Sequence, residues 1–149
     1  MKHSSRRSPF ATVAVSLLLM LLAAASRAEM RQFGSFEVHY SVFASSFLQP
    51  DIAAAYGIVR AKDRALVNIA VRRGTRDAAT VSAVLSGTRG DLIRKTPLEF
   101  REIHEDQAVY YIAEFDFVSG ETQYFDIAIQ PAGEARPLVL QFNHVLYAD

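Results

Sequence analysis

The chain has 149 residues with no cysteine and no tryptophan, and its sixteen basic and sixteen acidic residues leave a formal net charge of zero. Thiol catalysis, thiolate metal sites, redox exchange and a lipid-anchor cysteine are excluded by that composition. The length suits one domain of ordinary size built on a single core.

In chain order, the first element is a secretion leader. Lys2, Arg6 and Arg7 make a positive start, Ala11 to Ala25 is an uncharged apolar run, and Ser26-Arg27-Ala28 places small residues at the two positions a signal peptidase reads. Cleavage is expected between Ala28 and Glu29. The competing reading is an uncleaved anchor, but the apolar run is shorter than the roughly 20 residues a spanning helix needs. Ser5-Arg6-Arg7-Ser8-Pro9-Phe10 is a loose twin-arginine pattern, with Phe10 one place too late. Removal of residues 1–28 leaves twelve basic against sixteen acidic residues, a net of −4. That balance favours solubility and argues against nucleic acid as a general partner.

Residues 29–149 read as one β domain. Phe36, Val38, Tyr40 and Val42 alternate with Glu37, His39 and Ser41, the period of a half-buried strand. The next segment breaks that period. Pro50 suits a first helical position, Asp51 complements the helix dipole, and Gly57 can close the end, which predicts a helix of one or two turns with Ile52, Ala55 and Tyr56 on one face. Strands are then predicted over Arg64 to Arg73, Ala79 to Ser86, Leu98 to His104, Gln107 to Val118, Thr122 to Gln130 and Pro137 to Tyr147. Turns are expected at Gly74 to Asp77, Glu105-Asp106, Ser119-Gly120 and Pro131 to Glu134. Gly87 and Gly90 mark a loop, followed by a short irregular piece from Asp91 to Lys95. Gln107 to Val118 is apolar on both faces. The expected architecture is all-β: an immunoglobulin/fibronectin-III-like antiparallel β-sandwich of about seven strands with one short helix, lacking the cysteine pair and core tryptophan of antibody domains. A closed barrel is the alternative.

Several segments together resemble the bacterial domain-of-unknown-function family 4426. They are Phe33 to Ser41, Ser46 to Pro50, Ala55 to Ile58, Arg64 to Val71, Leu98 to Ile103 and Tyr110 to Phe115, so the resemblance spans nearly all of residues 29–149. It implies a small exported domain of Gram-negative bacteria, hence a periplasmic location. It implies no catalytic residues.

Candidate chemistry is sparse. Beyond the leader the histidines are His39, His104 and His144, and no metal-ligand spacing links them. In this type of sandwich the first and last strands can be neighbours, so His39 and His144 with Glu37 or Glu102 form the one arguable metal or hydrolytic site. The opposing reading places His39 on a polar face, and His144 in phase with Leu138, Leu140 and Phe142 as a half-buried side chain. Glu114 and Asp116 lie two apart on one strand face, where carboxylates raise one another's pKa, or where they are simply solvated. No Gly-x-Ser-x-Gly elbow exists, and Ser86-Gly87-Thr88-Arg89-Gly90 lacks the Lys-Ser ending of a phosphate loop. No cofactor is implied.

Charge is the strongest signal. From Arg60 to Arg101 ten basic residues face four acidic ones, whereas from Glu102 to Asp149 Arg136 alone faces nine acids. Arg60, Lys62 and Arg64 alternate, so an extended chain would present them on one basic edge, with Arg101 as a further candidate. Either this is a patch for an anionic partner, or the two halves pair across interleaved strands. Tyr40, Tyr56, Tyr110 and Tyr111 line a ligand groove in one reading and the core rim in the other. The expectation is a non-enzymatic periplasmic module that binds an envelope protein or an anionic envelope component. Arg60, Lys62, Arg64, Arg101, His39 and Tyr40 are its candidate binding residues.

Overall fold

The computed structural model describes residues 28–74 and 78–148. The predicted leader lies outside them except for Ala28, as does most of the predicted turn from Gly74 to Asp77. The strands are β1 (Glu29–Phe33), β2 (Phe36–Ala44), β3 (Arg64–Arg73), β4 (Ala83–Gly90), β5 (Lys95–Pro97), β6 (Arg101–Glu105), β7 (Ala108–Asp116), β8 (Thr122–Pro131) and β9 (Leu138–Val145). A 3-10 turn (Ser45–Phe47) and one helix, α1 (Pro50–Ala55), join β2 to β3.

All pairings are antiparallel, and they form two open sheets in the orders β1-β2-β3-β7-β6 and β5-β4-β8-β9, not a closed barrel. The run β2-β3-β7-β6 has the A-B-E-D order of an immunoglobulin sandwich, and β4-β8-β9 has its C-F-G order. β5 takes the C′ place. The described strands number nine rather than about seven. β1 was not expected, because it is exposed almost throughout and carries no alternating apolar signal. β5 is three exposed residues long.

Period-two alternation builds the core. Val38, Tyr40 and Val42 of β2, Val67, Ile69 and Val71 of β3, and Phe125, Ile127 and Ile129 of β8 all bury their inward side chains in one cluster. Aliphatic residues of β3 and β8 occupy the space an antibody domain gives to its disulfide. A chain of rings spans both sheets. Tyr40 meets Phe142 at 4.5 Å, Phe142 stacks on Phe125 at 4.6 Å and 8°, and Phe125 meets Phe115 edge-on at 5.5 Å and 68°.

The predicted strand Ala79 to Ser86 is displaced. Its first residues make only an isolated bridge, Thr80 to Arg72, before the chain crosses to the other sheet. β4 then runs through Gly87 and Gly90, which the sequence suggested as loop. Gly87 is required there, since a Cβ would lie 2.7 Å from the Asp126 carbonyl oxygen across the ladder.

α1 matches its expected caps. Pro50 opens it, and Gly57 (φ 62°) closes it. The Ile58 N–H donates to Ala53 O at 2.8 Å and the Gly57 N–H to Ala54 O at 3.2 Å, the paired bonds of a Schellman motif. Ser45 pins the return of the chain, its Oγ accepting from Ala61 N at 2.9 Å. Ile52, Ala53 and Ile58 then pack with Phe43, Leu48 and Leu66 in a second apolar cluster on the outer face of the first sheet. This roof explains why β3 is buried on both faces from Ala65 to Val71.

Candidate functional site

The outward row of β2 carries Glu37, His39 and Ser41, opposite in direction to Phe36, Val38 and Tyr40. His39 Nε2 lies 3.2 Å from Glu37 Oε2. Tyr40 points the other way, into the core, and its hydroxyl donates to Glu29 Oε2 at 2.9 Å. Burial, reinforced by the Glu29 carboxylate, holds the Tyr40 phenol above its ordinary pKa.

His144 sits on β9 in the other sheet, partly buried, in phase with Leu140 and Phe142 as the alternation suggested. The proposed His39–His144 site therefore does not form: the two imidazoles lie on different sheets, and His39 faces away from the sandwich interior. His104 pairs with Glu102 on β6. Among the described residues no group of three or more His, Cys, Asp or Glu side chains is placed to hold a metal ion.

Burial depresses the His144 pKa, while the nearby Glu29 charge opposes that effect. The unfolded chain therefore takes up the His144 proton first. The stability this group contributes is complete above the ordinary value of 6.5 and is lost as the pH falls from there through the folded value. A thermal scan from pH 7.5 to pH 5 is expected to show a falling melting temperature, and His144→Gln is expected to flatten that slope.

The basic residues gather around α1, but not as one extended edge. Only Arg64 is in β3; Gly57 ends the helix and a turn at Lys62-Asp63 precedes the strand, so Arg60, Lys62 and Arg64 do not alternate along an extended chain. Arg60 donates to Ser46 O at 2.9 Å. Arg64 donates to Asp116 Oδ1 at 3.1 Å, with Glu114 3.9 Å away. Arg101 donates to Tyr56 O at 2.9 Å and to Glu114 Oε1 at 3.0 Å. Lys62 is exposed.

Part of the charge segregation of the sequence resolves into pairing between its two halves: Arg64, Arg73, Lys95 and Arg101 each meet a carboxylate of the acidic half. Arg73 at the end of β3 pairs with Glu134 in the turn after β8, and Lys95 of β5 pairs with Asp126 of β8. Exposed pairs of this kind contribute little to stability. Arg89 is also spoken for: it turns inward over the Phe115 ring at 5.3 Å and donates to Gln123 Oε1 at 3.2 Å, so the Ser86–Gly90 segment offers no cation to a phosphate.

Two concavities stand out, and the first is lined in part by Tyr56 and Tyr110, two of the four tyrosines that the sequence offered as a groove lining. One is a narrow apolar crevice of about 20 Å³ between α1 and the outer face of the first sheet. Its floor includes Asn68, Tyr110 and Ile112, and Ile52 and Tyr56 lie above them. Tyr110 is buried there, which raises its phenol pKa. The other is an open groove of about 460 Å³ on the outer face of the second sheet, with Tyr124, Asp126, Gln141 and Asn143 in its lining and Leu92 and Lys95 of the β4–β5 hairpin at its side. Gln141 Nε2 donates to Asp126 Oδ2 at 3.1 Å across that lining.

The structure of a DUF4426 family protein from Pseudomonas aeruginosa PAO1 superposes with a TM-score of 0.71 at 36% identity, covering 82% of this chain and 96% of that one. FetP of uropathogenic Escherichia coli strain F11, expressed recombinantly in the periplasm, shares the fold at a TM-score of 0.58 and 9% identity, with 84% and 96% coverage. A copper-bound FetP variant gives 0.59 and 10%, with 84% and 98% coverage. No curated protein matches the chain. Residues 30–149 match the family model for the domain of unknown function DUF4426, and the chain belongs to that family.

Proposed function

We propose that this domain is a non-enzymatic binding module of the periplasm that recognises another envelope protein through the outer face of the β5-β4-β8-β9 sheet. The observation that carries the reading is the contrast between the two outer faces. The first sheet is roofed by α1 and its apolar cluster. Over the second sheet no element lies among the described residues, and its apolar side chains stay in solvent: Val84 is 74% exposed, Val139 52%, Leu92 79% and Ile93 91%.

Val84 and Val139 share one face across β8, with Ala128 and Gln130 between them. Leu92 and Ile93 project from the hairpin at the other end, beside Tyr124. Large exposed apolar side chains gathered on one sheet face, with polar residues beside them, mark a protein-interaction surface. Export by the leader would place that face in the envelope, and no described helix is long and apolar enough to cross a membrane. The test compares envelope proteins retained by the immobilised wild-type domain with those retained by the Val84→Asp, Val139→Asp double variant. A discrete partner held at least tenfold more weakly by the variant supports the reading, given unchanged circular dichroism. Equal retention by both forms overturns the assignment of this face.

A second reading, recognition of an anionic envelope component by Arg60, Lys62, Arg64 and Arg101, is favoured by their convergence on one corner beside α1. Changing Arg60, Lys62 and Arg64 together to Ala is expected to abolish retention on anionic phosphatidylglycerol vesicles. Unchanged retention removes this reading.

A further inference from the structure

The two sheets end on four edge strands, β1, β6, β5 and β9. Three of them are guarded. β1 carries Glu29 and Arg31, β6 carries Arg101, Glu102 and Glu105, and β5 is three residues long with Lys95 and Pro97 among them. Charge, proline and brevity are the devices that stop an edge from pairing with another chain. β9 has none of them: it runs for eight residues, Leu138–Val145, without proline, aspartate, glutamate, lysine or arginine.

The ladder shows which backbone groups β9 leaves open. Pro131 has no N–H and stands opposite Ala83, whose own N–H donates to the Tyr111 hydroxyl at 2.7 Å, so this pair exchanges no hydrogen bonds. Gly87, in the same phase, turns its carbonyl away from β8 to accept from the Leu98 N–H at 2.9 Å. Bonded and non-bonded pairs alternate in an antiparallel ladder, so Phe125, Ile127 and Ile129 direct their backbone groups to β9, where they pair with Phe142, Leu140 and Leu138. Val139, Gln141, Asn143 and Val145 therefore point their backbone groups off the edge. Gln141 bears this out, since its carbonyl accepts from the Arg31 guanidinium of β1 at 2.8 Å.

Those four residues read alike in both directions. A second β9, antiparallel and related by a twofold axis at Phe142, sets Val139 opposite Val145 and Gln141 opposite Asn143, each pair occurring twice. Aliphatic meets aliphatic, amide meets amide, no like charges meet, and every open backbone position on both strands gains a partner. Gln141 Nε2 is bonded to Asp126, which leaves its Oε1 for the opposite Asn143 amide. We infer that the protein self-associates through β9 as a twofold dimer, joining the two four-stranded sheets into one continuous antiparallel sheet. The occupant is a second copy of this chain because a twofold contact requires a strand complementary to itself. Arg31 must release the Gln141 carbonyl, an exposed contact, to let the copy in. The dimer sets two open outer faces side by side, and it does not rest on the protein-binding reading of that face. Pairing along one strand buries less than a standard interface, so monomer and dimer should exchange in the micromolar range.

The test is sedimentation equilibrium of the purified protein from low to high micromolar loading, where the mass is expected to rise from one chain to two. Asn143→Pro removes an outward N–H while leaving the ladder to β8 intact, as proline is tolerated on an edge. The loss acts twice in a twofold dimer and is expected to raise its dissociation constant at least tenfold. Two surface variants keep the outcome decisive should proline disturb the strand. Gln141→Lys with Asn143→Lys sets like charges opposite one another and is expected to abolish the dimer. Gln141→Lys with Asn143→Glu sets opposite charges there and is expected to hold it within about threefold of wild type. A wild type that keeps the mass of one chain at every concentration overturns the proposal, as does an undiminished dimer in the folded Gln141→Lys, Asn143→Lys protein. Equal weakening by both double variants overturns the register. Val84 lies on β4, away from the axis, so retention of an envelope partner by Val84→Asp reads the open face without touching β9, and failures of the two readings are told apart.

Discussion

Replacing Phe125 by alanine is expected to lower the free energy of unfolding by about 3–5 kcal/mol, the range for removing a fully buried aromatic ring. Phe125 is 2% exposed and stands at the centre of the ring chain, stacked on Phe142 and edge-on to Phe115. Its loss opens a cavity and cuts two aromatic contacts at once, and each such contact contributes about 0.5–1.5 kcal/mol beyond the area it buries. One of them joins β8 to β7 and is thus a link between the two sheets; the other runs through Phe142 to Tyr40 of β2. For a domain whose total stability is about 5–15 kcal/mol, that is a large fraction. Urea denaturation should show a lower midpoint at an unchanged slope. Val139→Ala, on the exposed face of the neighbouring strand, serves as the control and is expected to cost under about 0.5 kcal/mol. A Phe125→Ala loss below about 1 kcal/mol would show that the rings are not what couples the sheets.

The same sandwich shows which signals survive in a bare sequence. Alternation along β2 and β8 is legible because each strand has one face in the core and the other nearer solvent. α1 is legible because Pro50 and Gly57 act through local backbone chemistry, which needs no partner element. β1 and the second half of β4 are not legible, since their pairing is set by what lies across the ladder. Glu29 to Phe33 has no apolar stripe, and Gly87 is a turn signal by composition but a close-approach residue in the sheet. The basic segment misleads for a related reason. Its partners Glu114, Asp116, Asp126 and Glu134 are remote in sequence and are brought opposite only by the crossing strands.

The candidate sites follow that logic. His39 and His144 were within reach of one another only on the topological argument that first and last strands neighbour. β1 and β9 do approach, with Arg31 donating to Gln141 O at 2.8 Å. The pleat, however, turns His39 outward and Tyr40 inward, so the imidazole ends on the wrong face. The crevice beneath α1 had a sequence signal that composition alone could not decode. β3 and β7 are apolar on both faces, and a strand of that kind needs cover on each side. Leu66, Asn68 and Ile112 are the outward members of those strands, and α1 is the cover. The second sheet has no such double-faced strand, which is why its outer face stays open.

That open face depends on the β4–β5 hairpin, and Gly90→Ala is expected to disrupt it. A Cβ at Gly90 would lie 1.9 Å from Arg94 O and 2.9 Å from the Arg94 carbonyl carbon. Both are backbone atoms, so no side-chain rotation relieves the overlap, and the strands must separate where Gly90 faces Lys95. Separation pulls apart the short loop in which Asp91 Oδ1 accepts from the Ile93 N–H at 2.7 Å, and with it the Lys95–Asp126 pair. Overpacking of this kind costs about 1–3 kcal/mol, and the backbone clash places Gly90→Ala at the upper end. Gly133→Ala is the matched control: its φ of 83° carries the left-handed cost, but nothing lies within 4 Å of the new Cβ. It is expected to lose about 1 kcal/mol with the hairpin intact. Amide exchange separates the two, with the β4–β5 ladder losing protection only in Gly90→Ala. Leu92 and Lys95 then no longer wall the groove, and affinity for a protein partner at this face should fall at least tenfold. Retained partner affinity with a demonstrably open hairpin would exclude this end of the sheet from the interface and confine it to Val84 and Val139.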